Sequence, residues 1–335
     1  MNDIVKEKNS EVLESTATQE VQVGMILKQR FVLEEKIGAG GMGTIFKAKD
    51  MRKSELDDKS PYVALKILSN EFKEHPKAVI ALQRETRKAQ RVSHPSIAAV
   101  YDFDRDNDIV FMTMELLEGP TLDEIIKDPL KHPLSQEAII EIINNIASAL
   151  CYAHKKGIVH SDIKPKNIIW TKDHEVKIID FGISRSIKYK RVNIDDVELF
   201  SNAELAAHTP AYASYGMLKG KDPTESDDIY ALACISYELL AHRHPYAKNS
   251  AKQAFEEQKV PKRIPGLERY RWAALKRALS FNDENKISTA DEFIECFNKK
   301  KSSAKNIGLL ILSILAIVGS LATIAWAFGI IKIHF

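Results

Sequence analysis

Phe31-Val32-Leu33-Glu34-Glu35-Lys36-Ile37-Gly38-Ala39-Gly40-Gly41-Met42-Gly43-Thr44-Ile45-Phe46-Lys47-Ala48 sets a cluster of glycines between two runs of strand-forming residues. Turn residues flanked by β-branched and aromatic runs predict a hairpin. A dinucleotide-binding turn shares the glycine spacing but leads from strand into helix. The Thr44-Ile45-Phe46 run after Gly43 favours a second strand instead. Absent side chains at Gly38, Gly40 and Gly43 let backbone N–H groups approach phosphate oxygens, and Ile37 and Ile45 supply apolar cover for the flat face of an adenine.

Further along, Val63-Ala64-Leu65-Lys66 reads as a strand that projects a fixed ammonium toward those phosphates. A lysine on a strand is ordinarily a surface charge, so Lys66 needs a partner. Glu85 stands in a segment from Lys77 to Val92 with the pattern of an amphipathic helix. Ser135 to Lys156 carries Ile139, Ile142, Ile143, Ile146 and Leu150 at helical spacing and ends on Lys155-Lys156-Gly157, a cationic last turn with a glycine stop. Then come His160-Ser161-Asp162-Ile163-Lys164-Pro165-Lys166-Asn167 and Asp180-Phe181-Gly182.

In this order and at these separations the segments resemble the protein kinases, in particular the bacterial Hanks-type serine/threonine kinases, over about Phe31 to Phe297. The resemblance implies an α+β, bilobal fold: a small β-rich N-lobe over about 25–115 and a larger helical C-lobe over about 119–298. It makes Ile37, Gly38, Ala39, Gly40, Gly41, Met42, Gly43, Ile45, Ala64 and Lys66 the ATP cradle, with Glu85 as the partner of Lys66 on a mobile helix. Phe111 to Gly119 resembles the strand and hinge between lobes, with Met114 as gatekeeper and the backbone of Glu115 and Leu117 facing the adenine edge. Asp162 is implied as the group that accepts or orients the hydroxyl proton, and Lys164 as the cation on the transferred phosphoryl. Asn167 and Asp180 are implied as ligands of Mg2+, with Mn2+ as a substitute. Lysine two residues after Asp162 is the serine/threonine pattern. Thr209-Pro210-Ala211-Tyr212 resembles the substrate-side loop, and Asp228, opening the apolar helix Ile229 to Leu240, takes the place of the aspartate that braces the catalytic loop.

Two departures stand out. Ser161 replaces the arginine that ordinarily precedes the catalytic aspartate, and residues 183–208 contain no threonine. Pairing of a loop phosphate with that arginine is therefore lost, which implies constitutive activity or control through a membrane segment or partner. Ser214-Tyr215-Gly216 stands where the family carries a structural glutamate, and Lys286 aligns with its usual arginine partner. Losing one partner of a buried ion pair costs about 3 to 5 kcal/mol, whereas losing both is close to neutral.

Composition bounds the rest. The chain has 335 residues, 44% hydrophobic and 28% charged, and a net charge of +2, which fits a two-lobed globular body and gives no whole-molecule field for nucleic acid. Three cysteines, Cys151, Cys234 and Cys296, in apolar periodic surroundings read as buried small hydrophobes in a reducing compartment. His242-Arg243-His244 reads as a solvated turn, and no protein-ligated transition metal is expected.

Residues 1–24 read as a mobile polar tail. From Ile307 to Ile331 no residue is charged. At about 1.5 Å per residue this stretch covers roughly 37 Å, enough for a transmembrane helix across a hydrocarbon core of about 30 Å. Lys299, Lys300, Lys301 and Lys305 make 299–306 a basic juxtamembrane segment, against Lys332 alone in the short end 332–335. The positive-inside rule then puts the kinase-like body in the cytoplasm at a bacterial inner membrane, with Trp326 as an interfacial anchor. Ala316, Gly319, Ser320 and Thr323 offer a helix-packing face for a homodimer.

The expected function is a membrane-tethered serine/threonine protein kinase that passes the γ-phosphoryl of Mg-ATP to protein hydroxyls, its own included. Lipid is contacted through 307–331 and nucleic acid is no partner. A pseudokinase scaffold is the first alternative, favoured by Ser214-Tyr215-Gly216 but opposed by Lys66, Glu85, Asp162, Asn167 and Asp180. A kinase-like small-molecule phosphotransferase is the second.

Overall fold

A computed structural model describes residues 21–40, 43–56, 60–69, 79–80, 83, 86–87, 89–180, 210–281 and 283–299. Gly41, Met42, Glu85, Phe181, Gly182, Thr209 and the segment 307–331 lie outside the described residues.

The N-lobe is a six-stranded antiparallel sheet in the order β1-β2-β3-β4-β6-β5. Its strands are β1 (Ile26–Leu27), β2 (Phe31–Gly40), β3 (Gly43–Asp50), β4 (Tyr62–Leu68), β5 (Val100–Asp106) and β6 (Ile109–Met114), with a short helix α1 (Met51–Glu55) after β3. The glycine stretch is a strand hairpin: β2 and β3 pair from Phe31↔Asp50 to Gly40↔Gly43, with register shifts at Leu33/Glu35 and Lys36/Gly38.

Period-two alternation sorts β4 onto two faces. Val63, Leu65 and Ile67 enter one core with Leu33, Phe46 and Phe111. Ala64 and Leu68 belong to a second cluster with Met112 and Met114, against which Ile45 packs. Lys66 lies between Ala64 and Leu68 on that second face. Residues 79–80, 83, 86–87 and 89 have helical backbone, and Thr86 and Ala89 are buried.

The expected polar tail ends earlier than residue 24. Val21 and Met25 pack on the N-lobe core and Gly24 N–H donates to the Leu33 carbonyl at 2.7 Å. Apolar Val21 and Met25 supply contact area that a polar residue would not.

The C-lobe is helical: α2 (Leu122–Lys127), α3 (Gln136–Lys155), α4 (Tyr215–Leu218), α5 (Glu225–Ala241), α6 (Ala251–Glu256), α7 (Arg269–Ala278) and α8 (Ala290–Asn298), with a two-stranded sheet of β7 (Ile168–Trp170) and β8 (Val176–Ile178). Ser135 caps α3 by accepting the Ala138 N–H at 3.1 Å. Ile142, Ile143, Ile146 and Leu150 are fully buried, as their spacing requires. Helix α5 begins at Glu225, ahead of Asp228, because Thr224 and Asp227 form a capping box. Almost every residue from Asp227 to Leu239 is buried, so α5 runs through the centre of the lobe.

Two other expectations need correction. Only Cys234 is fully buried; Cys151 and Cys296 are half-buried and all three are free thiols. His244 is no solvated turn residue: it is 5% exposed. Among the described residues no helix is long and apolar enough to cross a membrane.

Candidate active site

The cleft side of the N-lobe presents Lys66, whose Nζ lies 2.8 Å from Asp180 Oδ1. Cross-strand register sets the lysine opposite Ile45 on β3 and Met112 on β6, and sets Ala64 opposite Met114. The Lys66 ammonium is nearly enclosed, with 7% of the side chain exposed, and among the described residues the Asp180 carboxylate supplies a charge that offsets its desolvation.

Gly43 has a structural reason to lack a side chain. Its φ is +145°, and a Cβ there would sit 1.8 Å from the Ile67 carbonyl oxygen on β4. Gly40 has open space instead, and a Cβ at Gly38 would only touch Ile45 at 3.7 Å. Ile37 is 44% exposed on the hairpin and Ala39 pairs with Thr44.

Below the cleft, α3 delivers the loop 160–167. Lys164 Nζ and Asn167 Nδ2 both donate to Asp162 Oδ2, at 2.9 and 3.2 Å, and Asn167 Nδ2 also donates to the Asp162 carbonyl at 2.9 Å. The amide nitrogen of Asn167 is thereby committed inward, which leaves its oxygen as the end that suits a hard cation. Asp180 supplies a carboxylate across from it. One carboxylate and one amide oxygen, completed by nucleotide and water, fit magnesium.

Two strands of chemistry tie this loop to Asp180. The Asn167 carbonyl accepts the Ile179 N–H at 2.9 Å. His160 is fully buried; its Nδ1 accepts the Asp162 N–H at 3.2 Å, so Nε2 carries the proton that faces the Ile179 carbonyl at 3.1 Å. Asp180 itself has φ +58° and Ser161 φ +62°, strained values held by this network.

Asp228 is the brace under the loop. It is 1% exposed and accepts the His160 and Ser161 N–H groups and His154 Nε2, each at 2.8 Å. Ser161, in the place of an arginine, is 5% exposed and its hydroxyl has no hydrogen-bond partner among the described residues.

At the hinge, Met114 ends β6 in the second N-lobe cluster. Glu115 N–H donates to the Ala99 carbonyl at 2.8 Å, while its carboxylate accepts the Ala99 N–H at 3.1 Å and Lys177 Nζ at 2.8 Å. The Glu115 side chain is thus spent on positioning the hinge against Ala99 and Lys177. Gly119 closes the hinge with φ +147°; a Cβ there would meet the Trp170 carbonyl oxygen at 2.1 Å.

The substrate-side loop rests on α5. Tyr212 OH donates to Glu238 Oε2 at 2.5 Å and accepts from Lys248 Nζ at 2.6 Å, and Lys248 also pairs with Glu238. Burial and the Glu238 carboxylate raise the Tyr212 phenol well above its ordinary range. His244 Nδ1 accepts the N–H groups of Tyr246 and Lys248 at 3.2 and 3.1 Å, and Nε2 faces the Ala211 carbonyl at 3.2 Å. That geometry requires the neutral ring, and burial pushes its pKa down to about 4. Where the family's glutamate is missing, Ser214 Oγ instead donates to Asp227 and caps α4 through the Met217 N–H.

Lys177, His154, Glu238 and Lys248 were not singled out by sequence, and His160, His244 and Gly119 were quoted there without the roles they have here. His154 and Glu238 did carry a signal: each is a polar residue on an otherwise apolar buried helix face, which demands a partner.

A glycine hairpin over a strand lysine, a hinge, and a loop of Asp162, Lys164 and Asn167 facing Asp180 together define a bilobal fold of the kinase class. Residues 31–306 match the protein kinase domain, and the chain belongs to that family. It is similar to the serine/threonine-protein kinase PknB of Mycobacterium tuberculosis, 31% identical over 276 residues, 79% of this chain and 42% of PknB. It is also similar to the serine/threonine-protein kinase pkn3 of Myxococcus xanthus, 30% identical over 288 residues, 81% of this chain and 50% of pkn3. The chain thus spans about half the length of these relatives or less. The crystal structure of the Mycobacterium tuberculosis PknI kinase domain aligns with a TM-score of 0.61 at 22% identity, over 83% of this chain and 99% of that domain, a likeness of fold.

Proposed function

We propose that this chain is a membrane-tethered serine/threonine protein kinase that transfers the γ-phosphoryl of Mg-ATP to protein serine and threonine hydroxyls, its own included. The observation that carries the reading is the Lys66–Asp180 contact of 2.8 Å, which brings the N-lobe strand and the C-lobe site into one cleft. Lys66 holds nucleotide phosphates, and Ile45, Ala64 and Met114 line the apolar face against which a base packs. Asp180 and Asn167 would hold magnesium, which neutralises charge on phosphate oxygens when bound. Asp162 orients the acceptor hydroxyl and takes its proton; Lys164, 2.9 Å from Asp162, offsets negative charge beside it. The uncharged segment 307–331 supports the tether.

The test is transfer of labelled γ-phosphate from Mg-ATP by the full chain in detergent to itself and to a generic protein acceptor, with Asp180→Ala as control. Label on serine or threonine that vanishes in the control is the expected result. Nucleotide binding without transfer would move the assignment to a scaffold.

A further inference from the structure

Two sets of contacts give the direction in which the chain leaves the C-lobe. Asp291, at the start of α8, accepts from Cys151 Sγ at 3.2 Å and Lys155 Nζ at 3.0 Å, near the C-terminal end of α3. Asn298, the last residue of α8, donates to Asn144 Oδ1 at 2.8 Å, nearer the N-terminal half of α3. Helix α8 therefore runs antiparallel to α3, and at Lys299 the backbone heads toward the first turn of α3.

That first turn belongs to one end of the lobe. Gln136 and Ile139 of α3 line a cavity of about 200 Å³ together with Leu134, Leu240, His242 and Ile264. Leu130 is 93% exposed and Val260 70% exposed, and each stands four residues before a wall residue of that cavity, Leu134 and Ile264. Lys131, Arg243, Lys262 and Arg263 are exposed among the same segments, against Glu137 and Glu268. Exposed apolar residues scattered singly need no explanation. Here two of the most exposed share a net-basic end of the lobe with the departing chain.

We infer that this end of the C-lobe lies against an anionic membrane surface, with Leu130 and Val260 in the headgroup layer and Lys131, Arg243, Lys262 and Arg263 on lipid phosphates and carboxylates. The inference rests on the membrane reading of residues 307–331. Basic side chains beside an apolar tip are what an anionic leaflet attracts. The tether keeps lipid near the exit point: residues 299–306 span at most about 29 Å when fully extended. Asn144, against which α8 ends, lies about 12 Å along the helix from the first residue of α3 and about 17 Å from its last, the end that delivers Asp162, and α8 heads toward the first. The face at the exit point is the one that meets lipid, and the cleft points away from it.

The test uses the full chain in vesicles of phosphatidylcholine with or without phosphatidylserine. Environment-sensitive dyes are attached at Leu130→Cys, Val260→Cys and, on the N-lobe, Leu56→Cys, with the unsubstituted chain correcting for its own thiols. With phosphatidylserine, the dyes at 130 and 260 are expected to shift to the blue and to be quenched by brominated lipid, while the dye at 56 stays in water. Changing Lys131, Arg243, Lys262 and Arg263 to Gln removes the shift at both positions but leaves the chain floating with the vesicles. Dyes at 130 and 260 that remain aqueous on floating vesicles overturn the face and spare the tether. A chain that does not float overturns both.

Discussion

Asp228 holds Ser161 by its backbone: Oδ1 accepts the Ser161 N–H at 2.8 Å, while Oδ2 takes the His160 N–H and His154 Nε2. Asp228→Ala leaves two buried N–H groups and a buried imidazole without an acceptor. The expected cost is about 3 to 5 kcal/mol in urea unfolding, with loss of phosphoryl transfer. Asp228→Asn keeps one acceptor oxygen and costs less. A loss under about 1 kcal/mol for the alanine variant would show that the loop has another brace.

The hydroxyl of Ser161 gives the opposite expectation. It is buried with no partner among the described residues, so Ser161→Ala removes an uncompensated polar group and leaves stability within about 0.5 kcal/mol or raises it. A clear drop in melting temperature contradicts this.

The glycines divide into two classes. Gly119→Ala and Gly43→Ala put a Cβ 2.1 and 1.8 Å from a carbonyl oxygen and force a positive φ on alanine. Each is expected to destabilise by about 3 kcal/mol or more. Gly40→Ala meets nothing within 4 Å, so its melting curve stays in place and only nucleotide affinity falls. Thermal melts beside a nucleotide titration separate the two.

Stability is expected to depend on pH through His244. Its folded pKa, about 4, lies below the ordinary 6.5, so between these values the unfolded chain binds more protons. The contribution is complete above about pH 6.5 and is lost as pH falls through about 4; the full shift corresponds to about 3 kcal/mol. His244→Asn should flatten the stability profile between pH 4 and 6.5 in chemical denaturation. An unchanged slope there assigns the acid sensitivity elsewhere.

For catalysis, Asp162→Ala is expected to lower kcat by about 10² to 10⁴-fold while ATP binding persists. Lys66→Met is expected to raise the KM for ATP as well, because the proposed function has that ammonium hold the phosphates. Equal losses in kcat with unaltered KM for both variants argue against the separate roles.

The hairpin, α3 and the loop 160–167 were legible because their signals are local: glycines between strand formers, a 3.6-residue apolar period, and a run of Asp, Lys and Asn. His244 and Gly119 were not. The partners that bury His244 include Ala211, and the carbonyl that forbids a Cβ at Gly119 belongs to Trp170. Both lie dozens of residues away, and no local pattern announces them. The start of α5 was misplaced for a related reason: an apolar run marks where burial begins, whereas the Thr224–Asp227 cap marks where the helix begins.

Helix α5 carries Asp228 under the phosphate-side loop and, ten positions later, Glu238 under the loop that holds Tyr212. It works as a ruler about 15 Å long between the two. Because each residue turns the helix by about 100°, one codon inserted or deleted between them would swing one carboxylate out of alignment with its loop. Divergence along this helix is therefore confined to substitution, while the surface connections around it are free to change length.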